Sequence, residues 1–324
     1  MKIQIEEIKS LCIQVLNKLG YNQEDAETII AEYMYGELSG KKSHGLSAFP
    51  GIVKKTNKNI LKWEIEKEDA SYALINGNGN IGQLVGKFAM ELAIKKASKT
   101  GIAIIGIHHM QSYLMPGYYS KLASDNNMIG IVVDNAKSRV APHGGIEPKL
   151  GTNPLGLGIP TGNINYNLDM ATSVRAMGEV RLAKKLGKEV PKGMAMDKNG
   201  NPTRNPDEVN SLNSFGTYKG YALNLAIEML AGSLVRAKMG SKIQNSLDRG
   251  FLFIVINPQI FVGLNTFKKE TGELLNEIKH SKTQKNVEEI FIPNEHAESN
   301  ITAHTQSGEI EIEKKIFEDI KKLL

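Results

Sequence analysis

The sequence predicts an α/β fold in two parts, a helical N-terminal unit over residues 1–70 and a larger strand-and-helix unit over residues 71–311. Three observations predict it. Apolar residues recur at helical spacing through the first seventy positions, and strand-like apolar runs alternate with helical ones afterwards. The 324 residues, 41% hydrophobic and 23% charged, are also enough for a sizeable core with an ordinary globular surface.

Taken in order, residues 5–19 carry Ile5, Ile8, Leu11, Cys12, Val15, Leu16 and Leu19 on one helical face, with Gly20 as the stop. Asn22 should cap a second helix reaching Leu38, with Asp25 and Glu27 in or near its positive first turn. Ser39-Gly40 breaks it, and a third helical stretch should end near Asn59. A strand is expected over 71–76, then a long amphipathic helix over 81–98 closed by Gly101. Residues 101–107 (GIAIIGI) and 128–134 (MIGIVVD) read as buried strands around a helix over 116–123. A strand over 164–169 should enter a helix over 176–186, and residues 191–207 should cross the surface as a polar loop. A second long apolar helix covers 219–235 and FIVI at 253–256 is a strand. A helix at 267–280, a short strand at 288–292 and a final helix at 312–324, packed on the N-terminal unit, complete the chain. Periodicity by itself points to a doubly wound sheet.

Composition narrows the function classes. The net charge of +5 is mild and its lysines are dispersed (Lys95, Lys96 and Lys99; Lys268 and Lys269; Lys321 and Lys322). A weak positive field suits an anionic cofactor or substrate but gives no ground for nucleic acid. One cysteine, Cys12, excludes an intrachain disulfide and fits a reducing cytoplasm. IEEIKS near the N-terminus is charged where a secretory leader would be apolar, and no apolar run is long enough to span a bilayer. No metal site is expected.

The densest chemistry lies in LGTNPLGLGIPTGNINYNLDMATSVRAMG, residues 150–178. Asn153 sits in a small-residue turn, and Asp169, Met170, Ala171, Thr172 and Ser173 lie where a strand hands over to a helix, a junction suited to anions. Turn and cap chemistry alone would select the same residue types. GNGNIG at 77–82 matches G-x-G-x-x-G between a strand and a helix, the local setting of a dinucleotide-binding turn. The next strand, however, ends in His108 and His109 rather than the acidic residue that motif needs, so the reading is set aside. In an extended segment those two histidines point to opposite faces.

LGTNP followed by LDMATS, VPKGMAMDKNGNPTRNP and YKGYALNLAIEMLAG, with Ser43-His44-Gly45 upstream, resembles the type-2 malate/L-lactate dehydrogenase family, which also holds L-sulfolactate, ureidoglycolate and 2,3-diketogulonate oxidoreductases. The resemblance runs nearly end to end. It implies a non-Rossmann, mixed and largely antiparallel sheet instead of a doubly wound one, binding NAD or NADP, and a homodimer with a small 2-oxo or 2-hydroxy acid as substrate. His44, otherwise readable as a surface histidine, becomes the acid/base. The cofactor is expected on Asn153, Asp169 to Ser173, Tyr218 and Lys219, with Asn294 and Glu295 standing in the family's late Pro-Gly-Glu segment.

Departures from the family fall on the substrate side. Aligning on Gly117-Tyr118-Tyr119 places Ser112 where a second active-site histidine stands, Leu114 replaces a glycine, and Ala48 occupies the place of a carboxylate-binding arginine. Gly216-Thr217 replaces a Gly-Gly pair. Arg139 and Arg175 are nearby candidates to hold a carboxylate. The expectation is an active but weakened 2-hydroxy acid dehydrogenase. The alternative is a catalytically impaired relative acting as a nucleotide-binding or structural dimer.

Overall fold

The computed structural model describes residues 1–56 and 62–324; the expected end of the third helical stretch near Asn59 lies outside them. A short strand, β1 (Lys2–Gln4), leads into α1 (Ile5–Lys18) and α2 (Gln23–Leu38). Gly20, at φ +99°, makes the break between them. Asn22 caps α2 by accepting from the Asp25 N–H at 2.8 Å. Two 3-10 segments, Lys42–His44 and Leu46–Lys54, follow. Their Leu46, Phe49 and Ile52 share a buried cluster with Ile8, Cys12 and Leu16 of α1 and Ile30 and Tyr33 of α2. Burial pushes the Cys12 thiol well above the ordinary range, so it is an apolar filler and not a nucleophile.

The main sheet holds β2 (Glu64–Asp69), β3 (Tyr72–Asn76), β4 (Ile102–His108), β5 (Ile129–Asp134), β6 (Leu155–Ile159) and β7 (Tyr166–Met170). Between β3 and β4 runs α3 (Gly82–Thr100), closed by Gly101 at φ +86°; between β4 and β5 runs α4 (Pro116–Asp125). The sheet is mixed and largely antiparallel. Its order is β2-β3-β4-β11-β5-β6-β7, where β11 (Gly250–Ile256) arrives late in the chain and pairs antiparallel with both β4 and β5. Within it, among the described residues, only β3 and β4 pair in parallel. The doubly wound arrangement suggested by periodicity fails here: β4 and β5 do alternate with helices, but a distant strand is inserted between them.

α5 (Met177–Leu186) follows β7, and the expected surface loop over 191–207 contains β8 (Ala195–Met196) and β9 (Pro202–Thr203), joined by β10 (Ser211–Leu212) in a three-stranded sheet. α6 (Tyr218–Ala231) packs its Ile227 and Ala231 on the opposite face of the main sheet, against Val133 and Leu252. α7 (Leu264–Lys279) matches expectation, but the strand expected at 288–292 does not form. Its apolar pair is instead an exposed Phe291 and a buried Ile292 in irregular chain.

Several elements escaped the sequence reading, β1, β6 and β10 among them. The edge strand β2, EIEKED, is too charged for an apolar pattern. α8 (Glu295–Ser307) has no fully buried residue to mark a face. The last, β12 (Glu309–Glu311), pairs with β1 over three residues, too few for a period. α9 (Lys314–Lys321) is shorter than the helix expected over 312–324; its Ile320 joins the α1–α2 cluster.

The Gly77–Gly82 turn is a packing device. A Cβ on Gly77 would stand 2.5 Å from Met110 Cβ, and one on Gly82 would stand 2.4 Å from the Gln111 carbonyl oxygen. The glycines let the chain after β4 lie against the start of α3.

Candidate active site

His44 is held in place by two backbone approaches. A Cβ on Gly36 would lie 2.5 Å from the His44 carbonyl oxygen, and one on Gly45 would lie 2.5 Å from Glu37 Oε2. Glu37 then accepts the Leu46 N–H at 3.0 Å. α2 therefore presses directly on the Ser43-His44-Gly45 turn, and only glycine at 36 and 45 permits it. Ser43 Oγ lies 3.0 Å from His44 Nδ1; the other ring nitrogen has no hydrogen bond to a described residue. Burial lowers the His44 pKa; Asp169 opposes this, while Lys41, Arg181 and Lys55 add to it.

Asp169, near the end of β7, pairs with Lys41 Nζ at 2.5 Å. Gly117 makes room for it, since a Cβ there would come within 2.4 Å of Asp169 Cβ. Ser112 is half-buried, and Arg249 Nη1 donates to its Oγ at 2.5 Å. His108 and His109 lie elsewhere: His108 Nε2 meets Glu66 at 3.2 Å and His109 Nδ1 meets Asn76 at 3.3 Å.

The strand that positions Asp169 continues as Met170, Ala171, Thr172 and Ser173. Thr172 Oγ1 donates to the Thr152 carbonyl at 2.8 Å, and the Phe215 N–H donates to the Thr172 carbonyl at 3.0 Å. Val174 N–H donates to the Asn213 carbonyl at 2.9 Å, and Ser173 bridges to Ser214. The DMATS segment is thus stitched to the residues that open α6, only a few positions before Lys219.

Beyond this seam lies an open cleft of about 460 Å³, lined by Pro142, Gly144, Val174, Ser214, Gly216 and Thr217 among others. Ser214 Oγ is buried with no hydrogen-bond partner among the described residues. Thr217 caps α6 at φ +58° with no side-chain capping bond, so the first-turn N–H groups of α6 beside the cleft have no side-chain partner at the cap. A β-branched residue at positive φ is strained. Tyr218 and Lys219 are exposed at the same helix start.

Not every expected residue joins these groups. Asn153 is fully buried; it accepts the Ala136 N–H at 3.0 Å and donates to Asn224 Oδ1 and Glu228 Oε2, both at 2.7 Å. It ties the GTNP turn to α6 and does not line the cleft. Asn294 donates to the Asn165 carbonyl at 3.0 Å and Glu295 pairs with Lys279 at 2.8 Å, at the end of β7 away from Asp169. Ala48 packs against the helical core. Arg139 is exposed and Arg175 lies 3.6 Å from Glu179. Lys41, Lys55 and Arg249 were missed. Lys41 lies beside the Ser-His-Gly turn and could have been noticed for that, whereas Lys55 and Arg249 carry no local signal.

The family described as malate/L-lactate dehydrogenase matches residues 3–321. The malate/(S)-sulfolactate dehydrogenase of Methanothermus fervidus is 40% identical, covering 100% of this chain and 97% of its own. A solved structure of sulfolactate dehydrogenase from Methanocaldococcus jannaschii superposes with a TM-score of 0.91 at 37% identity, over 100% of this chain and 96% of that one. A ureidoglycolate dehydrogenase (NAD(+)) of Escherichia coli is 30% identical over 90% of this chain and 87% of its own length.

Proposed function

The chain belongs to the malate/L-lactate dehydrogenase family, and from that premise we propose that it is a nicotinamide-dependent oxidoreductase interconverting a small 2-hydroxy acid and its 2-oxo acid, of malate, lactate or sulfolactate type. One observation carries the reading: His44, with one ring nitrogen engaged by Ser43 and the other uncommitted among the described residues, feels the charge of Asp169, on the segment that also borders the open cleft.

The cleft residues fit a dinucleotide. The hydroxyl of Ser214 lacks a partner, the N-terminus of α6 has no side-chain cap, and Lys219 supplies an ammonium beside it. Ser214, Tyr218 and Lys219 would hold NAD or NADP there, the expected Thr172 and Ser173 being buried and bonded to the Thr152 and Arg175 carbonyls, and the nicotinamide would supply two-electron hydride chemistry. His44 donates a proton to the substrate oxygen in reduction and takes it back in oxidation. The Lys41–Asp169 pair fixes the charge around it. Residues 1–70, with the last helix, form the unit presenting the acid/base, and residues 71–311 the unit receiving cofactor and substrate.

Titration with NADH and with NADPH, followed by nicotinamide fluorescence, tests the reading; no saturable signal with either defeats it. Ser112 and Ala48 support reduced turnover. Binding without oxidation by oxaloacetate, pyruvate or sulfopyruvate would favour an impaired, nucleotide-binding dimer.

Burial lowers the His44 pKa, so the imidazole is neutral at pH 7 and acts first as a base. kcat/KM for oxidation should rise with pH through an apparent value below the ordinary histidine pKa of about 6.5 and level off by neutrality. Reduction should fall along the same limb. A limb above that value in the pH profile would contradict this assignment.

The assembly we propose is a homodimer. α6 exposes Tyr218, Leu225, Met229 and Leu230, at 59%, 37%, 53% and 42%, and Leu234 follows at 61%. An exposed apolar stripe of this extent, on a helix whose other face is already buried, marks an interaction surface. The double substitution Met229→Asp and Leu234→Asp should halve the particle mass seen in sedimentation equilibrium. No helix among the described residues is long and apolar enough to cross a membrane, and a cytoplasmic location is part of this proposal.

A further inference from the structure

Two cations outside the reading above meet on one residue. Lys55, just after the 3-10 segments carrying His44, donates from Nζ to the Ser112 carbonyl at 3.0 Å. Arg249, on the residue before β11, reaches the same serine through its hydroxyl. Its Nε donates to the Asn135 carbonyl at 2.6 Å, and its Nη2 pairs with the buried carboxylate of Asp134. Asp134 is fixed in turn by the Tyr113 hydroxyl at 2.9 Å, and the guanidinium lies 5.4 Å from the centre of the Phe251 ring. Three of five guanidinium N–H groups are therefore used, which leaves one on each terminal nitrogen uncommitted among the described residues.

Lys55 is odder. It is half-buried and its one hydrogen bond goes to a neutral carbonyl, with no carboxylate in contact among the described residues. Burial lowers its pKa, Glu32 opposes that, and Arg249 adds to it. An ammonium withdrawn from water without a contacting counter-charge is costly. Beside a guanidinium with two free donors, the cost is relieved by a bound oxyanion. The place matches: Lys55 directly follows the 3-10 segments that carry His44, and both cations meet on Ser112. No rival cation stands at residue 48, and Arg175 is engaged with Glu179.

We infer that Lys55 and Arg249, gathered on Ser112, are the anion-binding end of the substrate subsite and grip the carboxylate of the 2-oxo acid whose oxygen faces His44. The inference rests on the oxidoreductase reading. The locked guanidinium keeps one donor free on each terminal nitrogen for the carboxylate oxygens, and Lys55 adds a point charge.

The test uses R249K, which can still pair with Asp134 but loses the planar fork, and K55Q, whose only severed bond among the described residues is to a carbonyl. KM for oxaloacetate should rise roughly 10- to 100-fold in each, with kcat within about threefold of wild type, since an interaction equal in ground and transition states acts on KM. The fluorescence-derived Kd for NADH should not move. Oxamate, an unreactive carboxylate, should raise the wild-type Tm and fail to raise that of either variant. Unchanged KM and unchanged oxamate stabilisation would overturn the inference, as would a loss confined to kcat. Should R249K not fold, K55Q alone decides. A wild-type chain that binds neither NADH nor NADPH but is stabilised by oxamate would defeat the oxidoreductase reading and leave this site standing.

Discussion

Replacing His44 by asparagine is expected to lower kcat by roughly 10²- to 10⁴-fold, the range for losing one positioned acid/base. Asparagine keeps a polar side chain of similar reach against Ser43, so the turn pinned by Gly36 and Gly45 should survive. The Kd for NADH should be unchanged, because the cleft beside α6 does not include residue 44. Single-turnover kinetics at saturating cofactor would separate chemistry from product release. A variant retaining more than about a tenth of the wild-type rate would show that some other group moves the proton, since even the weakest such losses are near 10²-fold.

The largest effect on stability is expected at Glu32. This fully buried carboxylate accepts the Leu114 N–H at 2.9 Å, the Met115 N–H at 2.7 Å and Gln83 Nε2 at 2.8 Å, with the Tyr119 hydroxyl at 3.3 Å. It thereby fastens α2 to the segment following Ser112 and to α3 and α4. Glu32→Ala strips two backbone N–H groups and two side chains of their partner, and should destabilise the chain by roughly 3–5 kcal/mol. Denaturant unfolding would measure it, and a loss below about 1 kcal/mol would mean that water replaces the carboxylate.

The same residue sets a pH dependence. Burial raises the Glu32 pKa to about 7, against the lowering effect of its hydrogen bonds. The folded chain then holds a proton that the unfolded chain releases near the ordinary value of about 4.3. Stability linked to this group is full below that value and declines as pH rises through about 7. Asp134, raised to about 6 by burial although Arg249 pulls it down, acts in the same direction over a lower window. Tm should therefore be higher at pH 5 than at pH 8, and Glu32→Gln should flatten the slope.

Much of the helical architecture was legible because it is local. Ile8, Cys12, Val15 and Leu16 mark their own buried face, Gly101 announces the end of α3, and Asn22 announces the start of α2. Elements that carry no period of their own were not legible: a charged edge strand at 64–69, a polar helix at 295–307 and two paired three-residue strands at the termini. The short strand expected at 288–292 failed for the converse reason. A few apolar residues suffice to suggest a strand, but nothing pairs with them.

His44, Asp169 and the DMATS segment could be named from the chain, since the types and order of their neighbours are written beside them. The sequence did not show what the glycines at 36, 45 and 117 make room for. It did not fix which strands are neighbours, because hydrogen bonding between β11 and β4 joins residues far apart and leaves no mark on either strand alone. Nor could it place Arg249 against Ser112, 137 positions away, or show that Asn153 faces a buried amide network and not a ligand. Side-chain period and turn chemistry are properties of neighbouring residues, while the electrostatics of a site depend on which distant charges the fold brings within a few ångströms.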